Sequence, residues 1–191
     1  MIKLTNDTLE NKFGDTDYSS LSLHQRIVLN NGGCLTKLLE DLFEEELQLK
    51  KLQEDTHVNE VADQLLQISA GQNVLNRAIL LSGVDSGVNH LYAESSIILD
   101  NLDVEFAQLL LNSTIPIGKL WEKLRVETYK TLIAWGDEKA GFNAAHFNIS
   151  PNESLLYRTY LVYSKSKPVM KITEKFPASC SFQPIVKRKT A

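Results

Sequence analysis

The side chains able to do chemistry in this chain stand where apolar ones are due. In "VMKITEKFPAS", residues 169–179, alternation puts Ile172, Glu174 and Phe176 on one face of a strand and Lys171, Thr173 and Lys175 on the other. In "VLNRAILL", residues 74–81, the same rule groups Arg77 with Leu75, Ile79 and Leu81. Each strand thus aims one charge toward its apolar side. Such charges are almost never fully buried alone. An unpaired one costs several kcal/mol, against the ~5–15 kcal/mol that holds a domain together. Three arrangements satisfy the pattern. Arg77 and Glu174 pair in the core, Arg77 snorkels to an edge, or both line a pocket and meet a ligand. In the last case the guanidinium fork matches a planar carboxylate, and the carboxylate accepts a hydrogen bond from a hydroxyl. The ligand is then small, flat and apolar in the middle, with a carboxylate at one end and a hydroxyl at the other.

The elements that must position these residues follow from the rest of the chain. "LSLHQRIVLNNGG", 21–33, predicts a short helix stopped by Asn-Asn-Gly-Gly, and "CLTKLLEDLF", 34–43, a second with Thr36 near its start. "EEELQLKKLQED", 44–55, reads two ways: propensity continues the helix, and the alternation of Leu47 and Leu49 suits a strand. Residues 58–71 carry a modest helical pattern. "NVLNRAILLSG" and "NHLYAESSIIL", joined by "VDSGV", predict a β-hairpin. Asp103 is placed to cap a helix over 103–111, and "NSTIPIGKLWEKL" opens as a turn because Pro116 and Gly118 sit two apart. "VETYKTLIAWGD" alternates as a strand, with Val126, Thr128 and Lys130 against Tyr129, Thr131, Ile133 and Trp135; "GFNAAHFNISPNE" is loop. "SLLYRTYLVYSKSKPVMKITEKFP" reads as strand, short loop and antiparallel strand. The sum is an α+β chain with a central antiparallel sheet of about six strands flanked by helices. It divides into a flexible amino-terminal arm, 1–20, a single domain, 21–182, and a basic tail, 183–191, containing "VKRKT".

Composition narrows the function classes. The chain has 191 residues, a net charge of −4 and an apolar share of 43%. With no broad basic footprint, nucleic-acid binding is not expected. No segment has signal-peptide or membrane-spanning character, so the expectation is a cytoplasmic protein without membrane insertion. Cys34 and Cys180 suit a reducing compartment and leave a single disulfide open. Cys34, at a helix start, has no companion His or resolving Cys in sequence. His24, His57, His90 and His146 lack ligand spacing, and no CxxC or HExxH occurs. "NNGGCLTK" lacks P-loop spacing. Trp121 and Trp135 read as core or pocket wall rather than a platform for bases.

Taken together, "CLTKLLE", "NRAILLSG", "YAESSIIL", "TIPIGKLW" and "KPVMKITEKFPAS" resemble the chorismate–pyruvate lyase (4-hydroxybenzoate synthase) family, in the family's order, over roughly residues 25–180. The last piece is the most specific. The resemblance implies a chorismate lyase-like fold, in which helices cover an internal cavity on an antiparallel sheet. It implies a cofactor-free, metal-free lyase that converts chorismate to 4-hydroxybenzoate and pyruvate, feeding quinone or other aromatic biosynthesis. That product is the flat acid-and-hydroxyl molecule inferred from the two charges. By the resemblance, Arg77 holds the ring carboxylate, Glu174 lies at the hydroxyl end, and main-chain groups of Leu35 and Ile117 help hold the carboxylate. Familiar bacterial members often carry Met and Leu at those two positions. The resemblance also implies a strand within "EEELQLKKLQE".

Chorismate carries two carboxylates, so a second cation is expected. Arg158, which shares a face with Leu156, Tyr160 and Val162, is the candidate, with Lys37 and Lys119 behind it. The competing reading is a non-catalytic module of the same fold that binds a small aromatic acid. Regulators that use it so carry a DNA-binding domain ahead of it, for which the loose residues preceding the resemblance are too few.

Overall fold

Ser22 opens the first helix with a reciprocal cap. Its hydroxyl accepts from the Gln25 N–H, and the Gln25 side chain accepts from the Ser22 N–H at 2.7 Å. The computed structural model describes residues 17–61, 66 and 68–179. Helix α1 spans Leu23–Asn30 and α2 Leu35–Phe43; Glu44, in the left-handed region at φ 53°, ends α2 and turns the chain. Strand β1 then runs Leu47–Val58. Propensity alone would continue the helix here. The inward alternation of Leu47 and Leu49 and pairing along β2 (Asn73–Gly83) override it. The remaining elements are β3 (Asn89–Ile98), α3 (Val104–Asn112), α4 (Ile117–Lys123), β4 (Tyr129–Lys139), α5 (Ala144–Phe147), β5 (Ser154–Ser164) and β6 (Lys167–Pro177).

The six strands form one sheet in the order β1-β2-β3-β6-β5-β4, every neighbouring pair antiparallel. This is the α+β architecture expected from the sequence, a central antiparallel sheet of six strands flanked by helices. Helices α1 to α4 cover one face. Val28, Leu29, Leu35 and Leu39 pack on Ile79, Leu81, Leu91 and Phe176, while Phe106, Leu110 and Leu120 pack on Leu75, Ile97, Met170 and Ile172. Helix α5 sits on the other face, where His146 stacks on Tyr92 at 5.5 Å.

Several local expectations change. The segment read as a turn at Pro116 is the start of α4: Pro116 is its cap, where a missing N–H costs nothing. Asp103 is the N-cap residue of α3, as expected, but its side chain makes no capping hydrogen bond; its carboxylate accepts from Lys165 Nζ at 2.7 Å instead. The loop over 141–153 contains α5. In the helical pattern of 58–71, Val58 ends β1, Leu66 lies in a turn and Ile68 is a bridge residue; residues 62–65 and 67 lie outside the described residues. So do 1–16 of the arm, Cys180 and the tail. Asp17 caps a short 3-10 turn, Tyr18–Ser20, and Tyr18 meets the Trp135 ring edge-on at 5.5 Å.

A buried polar latch joins the α2–β1 corner to the β2–β3 turn. Glu45 Oε1 lies 3.0 Å from His90 Nε2 and accepts from the Ser86 hydroxyl at 2.8 Å, and His90 stacks on Phe43 at 3.8 Å. A Cβ on Gly83 would overlap the Glu45 carboxylate, so glycine makes room for it. Burial holds His90 below its ordinary 6.5, with Glu45 opposing only in part. Burial pushes the Glu45 carboxyl up, but hydrogen bonds from His90 and Ser86 outweigh it and leave it below 4.5. Both shifts act in the same direction. As pH falls below about 6.5, unfolded chains take up a proton that native His90 resists, and below 4.5 Glu45 adds to the loss. The urea midpoint should therefore drop between pH 7.5 and 5, and His90→Gln should flatten that slope. An unchanged slope would remove His90 as its source.

Candidate active site

Arg77 and Glu174 occupy the helix-covered face of the sheet, on β2 and β6, with β3 between them. Arg77 is registered with Ser95, and Glu174 with Ala93. Two strand spacings and a two-residue offset place their α-carbons roughly 12 Å apart. A cavity of about 540 Å³, partly open to solvent, lies between this floor and the starts of α2 and α4. Leu35, Arg77, Ile117 and Glu174 all line it, together with Thr36, Trp121, Lys130 and Tyr160. Apart from Ser95, the rest of the wall is mainly aliphatic, with Leu49, Ile79, Leu81, Leu91 and Ile172.

Glu174 is 6% exposed and is held through both oxygens: Arg158 Nε donates to Oε2 at 2.6 Å and the Tyr160 hydroxyl to Oε1 at 2.9 Å. Burial and the adjacent Glu174 charge push the Tyr160 phenol well above its ordinary range, so the hydroxyl stays a donor. Arg158 stands directly across from Glu174 on β5. Its Nη1 donates to the carbonyls of Val28 at 2.7 Å, Leu29 at 3.2 Å and Asn31 at 2.9 Å. It thus closes the carboxyl end of α1 and fastens it to the sheet. Burial works against the Arg158 charge, but Glu174 outweighs it and holds the guanidinium firmly protonated.

Arg77 is 5% exposed, yet its Nε and Nη1 have no hydrogen-bond partner. It is neither paired with Glu174 nor extended to an edge. Burial disfavours its charge, eased only in part by Glu54 across on β1, and Glu54 is itself bridged to Lys51 at 2.6 Å. A guanidinium stays protonated regardless. The cavity therefore contains a cation with donors to spare, which suits a carboxylate.

The other proposed cations sit elsewhere. Arg158 does not reach the cavity surface; Glu174 and α1 occupy it. Lys37 pairs with Glu122 at 2.5 Å on the outside, and Lys119 with Glu40 at 2.6 Å. The second cation that does line the cavity is Lys130, which alternation had placed with Val126 and Thr128, on the face away from Trp135. Its Nζ donates to the Gly33 carbonyl and lies 5.1 Å from the Trp121 ring centroid and 5.3 Å from that of Tyr160. A β-bulge between Leu132 and Ala134 explains the miss: it breaks strict alternation, so Lys130 and Trp135 point to the same face. Among the described residues no group of three or more His, Cys, Asp or Glu is placed to hold a metal, and no helix is long and apolar enough to cross a membrane.

The two helix starts above the cavity both lack a side-chain cap: Cys34 precedes α2 and Pro116 precedes α4. Their first N–H groups supply positive dipole ends beside Leu35 and Ile117. The helices approach closely because position 118 is glycine. A Cβ there would stand 2.7 Å from Cys34 Sγ. Gly118→Ala should cost about 1–3 kcal/mol by overpacking. Adding Cys34→Ala should recover most of it in a double-mutant cycle of urea midpoints. Independent, additive losses would show that the two positions do not meet. Cys34 itself is a free thiol.

Comparison with known proteins agrees with this geometry. A family model described as Chorismate pyruvate-lyase Rv2949c-like matches residues 29–183. A chorismate pyruvate-lyase of Mycobacterium tuberculosis (strain CDC 1551 / Oshkosh) is 28% identical over 168 residues, covering 85% of this chain and 83% of that protein. Among solved structures, the effector domain of PhnF from Mycobacterium smegmatis superposes with a TM-score of 0.58 at 11% identity, over 76% of this chain and 88% of that one. A GntR-family transcriptional regulator from Bacillus cereus superposes with a TM-score of 0.52 at 15% identity, over 74% and 99%. At those identities the solved structures speak to the fold alone. The match over most of the domain, on a sheet with an Arg- and Glu-lined cavity, places this chain in the Rv2949c-like chorismate pyruvate-lyase family.

Proposed function

We propose that the protein cleaves chorismate to 4-hydroxybenzoate and pyruvate, with Arg77 and Glu174 as the residues that hold the reacting ring. The observation that carries this reading is the buried guanidinium of Arg77, with unpartnered donors, in an apolar cavity whose floor also presents Glu174. Family membership and a relative named chorismate pyruvate-lyase support it.

In the reaction, the bond between ring carbon 3 and the ether oxygen breaks and a proton leaves carbon 4. The ring becomes aromatic, and the departing enolpyruvate gains a proton at its methylene to become pyruvate. Aromatisation supplies the driving force, so the protein need only hold the ring in a conformation that lets the bond break. Arg77 binds the ring carboxylate and stabilises negative charge there, with main-chain N–H groups at Leu35 and Ile117 assisting. Glu174 keeps lone pairs free beyond those used by Arg158 and Tyr160, and accepts from the 4-hydroxyl. Because both of its oxygens already receive hydrogen bonds, it orients the ring as a carboxylate. Chorismate is the expected small-molecule partner.

Purified protein incubated with chorismate should yield equal amounts of 4-hydroxybenzoate and pyruvate on chromatography. A second reading is favoured by the shared fold with regulator effector domains: a binding module for an aromatic acid. It predicts tight binding of 4-hydroxybenzoate with chorismate recovered intact. A different hydroxybenzoate would point to a relative of chorismate as substrate.

A further inference from the structure

The ionic groups around the cavity do not balance. Glu174 is answered by Arg158, and Glu54 by Lys51. Two cations are left over, Arg77 and Lys130. Lys130 has three donors, of which one goes to the Gly33 carbonyl. Among the described residues it forms no ion pair. Its ammonium lies over two aromatic rings, and burial lowers its pKa, with Glu174 opposing and Arg158 adding to the fall. A half-buried ammonium that the protein leaves without a carboxylate is poised for an anion from outside.

We infer that Lys130 binds the second carboxylate of the substrate, that of the enolpyruvyl group that departs, and so makes the cavity selective for dicarboxylates. This rests on the reading of the protein as a chorismate-cleaving enzyme. The chemistry places the group correctly. The enolpyruvyl ether is carried on the ring carbon next to the hydroxyl-bearing one, so its carboxylate belongs near Glu174. Lys130 is on that side: its ammonium feels the Glu174 charge and lies over the Tyr160 ring, whose hydroxyl bonds Glu174.

Lys130 also stands on a shared wall. With Gly118 and Trp121 it lines both the inner cavity and an outer, more open cleft of about 700 Å³, where Gly33, Cys34 and Arg125 are exposed to the space. Once the ether bond breaks, one dianion becomes two monoanions. The aromatic acid stays with Arg77, and pyruvate is left on Lys130 at the wall it shares with the outer cleft, by which it leaves.

The test uses two non-reacting aromatic acids, 3-methoxybenzoate with one carboxylate and 3-(carboxymethoxy)benzoate with two, titrated calorimetrically into the full-length wild-type protein, Lys130→Met and Lys130→Arg. The wild type should bind the dicarboxylate more tightly by about 10- to 100-fold, the range of one charge-assisted contact. Lys130→Met should lose that preference while binding 3-methoxybenzoate within about twofold of wild type, and Lys130→Arg should keep part of it. With chorismate, Lys130→Met should raise KM far more than it lowers kcat. An unaltered preference in folded Lys130→Met overturns the assignment, as does failure of the wild type to prefer the dicarboxylate. The two readings fail separately. Turnover of chorismate with no loss of preference in Lys130→Met removes the Lys130 role and leaves the lyase. Discrimination lost in Lys130→Met, with no turnover by wild type, keeps the anchor and removes the lyase.

Discussion

Replacing Arg77 with methionine should lower kcat/KM for chorismate by roughly 10³-fold or more while making the unliganded protein more stable, by about 1–3 kcal/mol. The two effects share one cause. Arg77 is buried with two donor nitrogens unpartnered, a desolvation cost that Glu54 offsets only in part. Methionine fills similar space without that cost. Sites built for ligands are commonly less stable than the fold allows. Turnover is read by 4-hydroxybenzoate absorbance and stability by the urea midpoint of the ligand-free protein. The stability sign separates the alternatives: an arginine that served the core would destabilise on removal. Near-normal turnover in this variant would remove Arg77 from the site.

Arg158→Met should have the opposite signature. It should destabilise by about 3–5 kcal/mol, because it leaves the Glu174 carboxylate buried beside apolar walls with Tyr160 as its one remaining hydrogen-bond donor among the described residues. The same change removes the guanidinium donor from three carbonyls at the end of α1, of which only Val28 keeps a backbone partner in the Asn31 N–H among the hydrogen bonds of the described residues. That is a large share of the ~5–15 kcal/mol available to a domain, so the variant should be partly unfolded at 37 °C. Arg158→Met with Glu174→Gln should regain part of the loss, since an amide costs less to bury than an unanswered charge. What remains is the cost of the uncapped α1 end. A mild loss in the single variant, or simple additivity in the double, would show that the pair is not coupled as its 2.6 Å contact indicates.

These residues show how far the sequence could be read. Period-two alternation placed Arg77 and Glu174 on the inner face of their strands without any knowledge of the fold, because a strand's side chains must alternate whatever it pairs with. The two hairpins, β2–β3 and β5–β6, were legible for the same reason. The stretch after Glu44 was not, since a leucine-, glutamate- and lysine-rich segment has helical propensity and becomes β1 only by pairing with β2. Pro116 and Gly118 signalled a turn because local chemistry cannot show that Cys34 of another helix lies against position 118.

The partner of Glu174 was decided later still. Counting back from the turn at Lys165 and Ser166 without interruption sets Arg158 across from Thr173. The bulge between Val162 and Tyr163 moves the register by one and brings Arg158 opposite Glu174. A comparable slip in β4 turns Lys130 inward. Sequence alone therefore determined that two charges face an apolar interior, since alternation is a local property of the backbone. Which charge is neutralised and which is left free for a ligand was decided by tertiary structure, because that depends on single-residue shifts in strand register and on how closely two helix starts can meet.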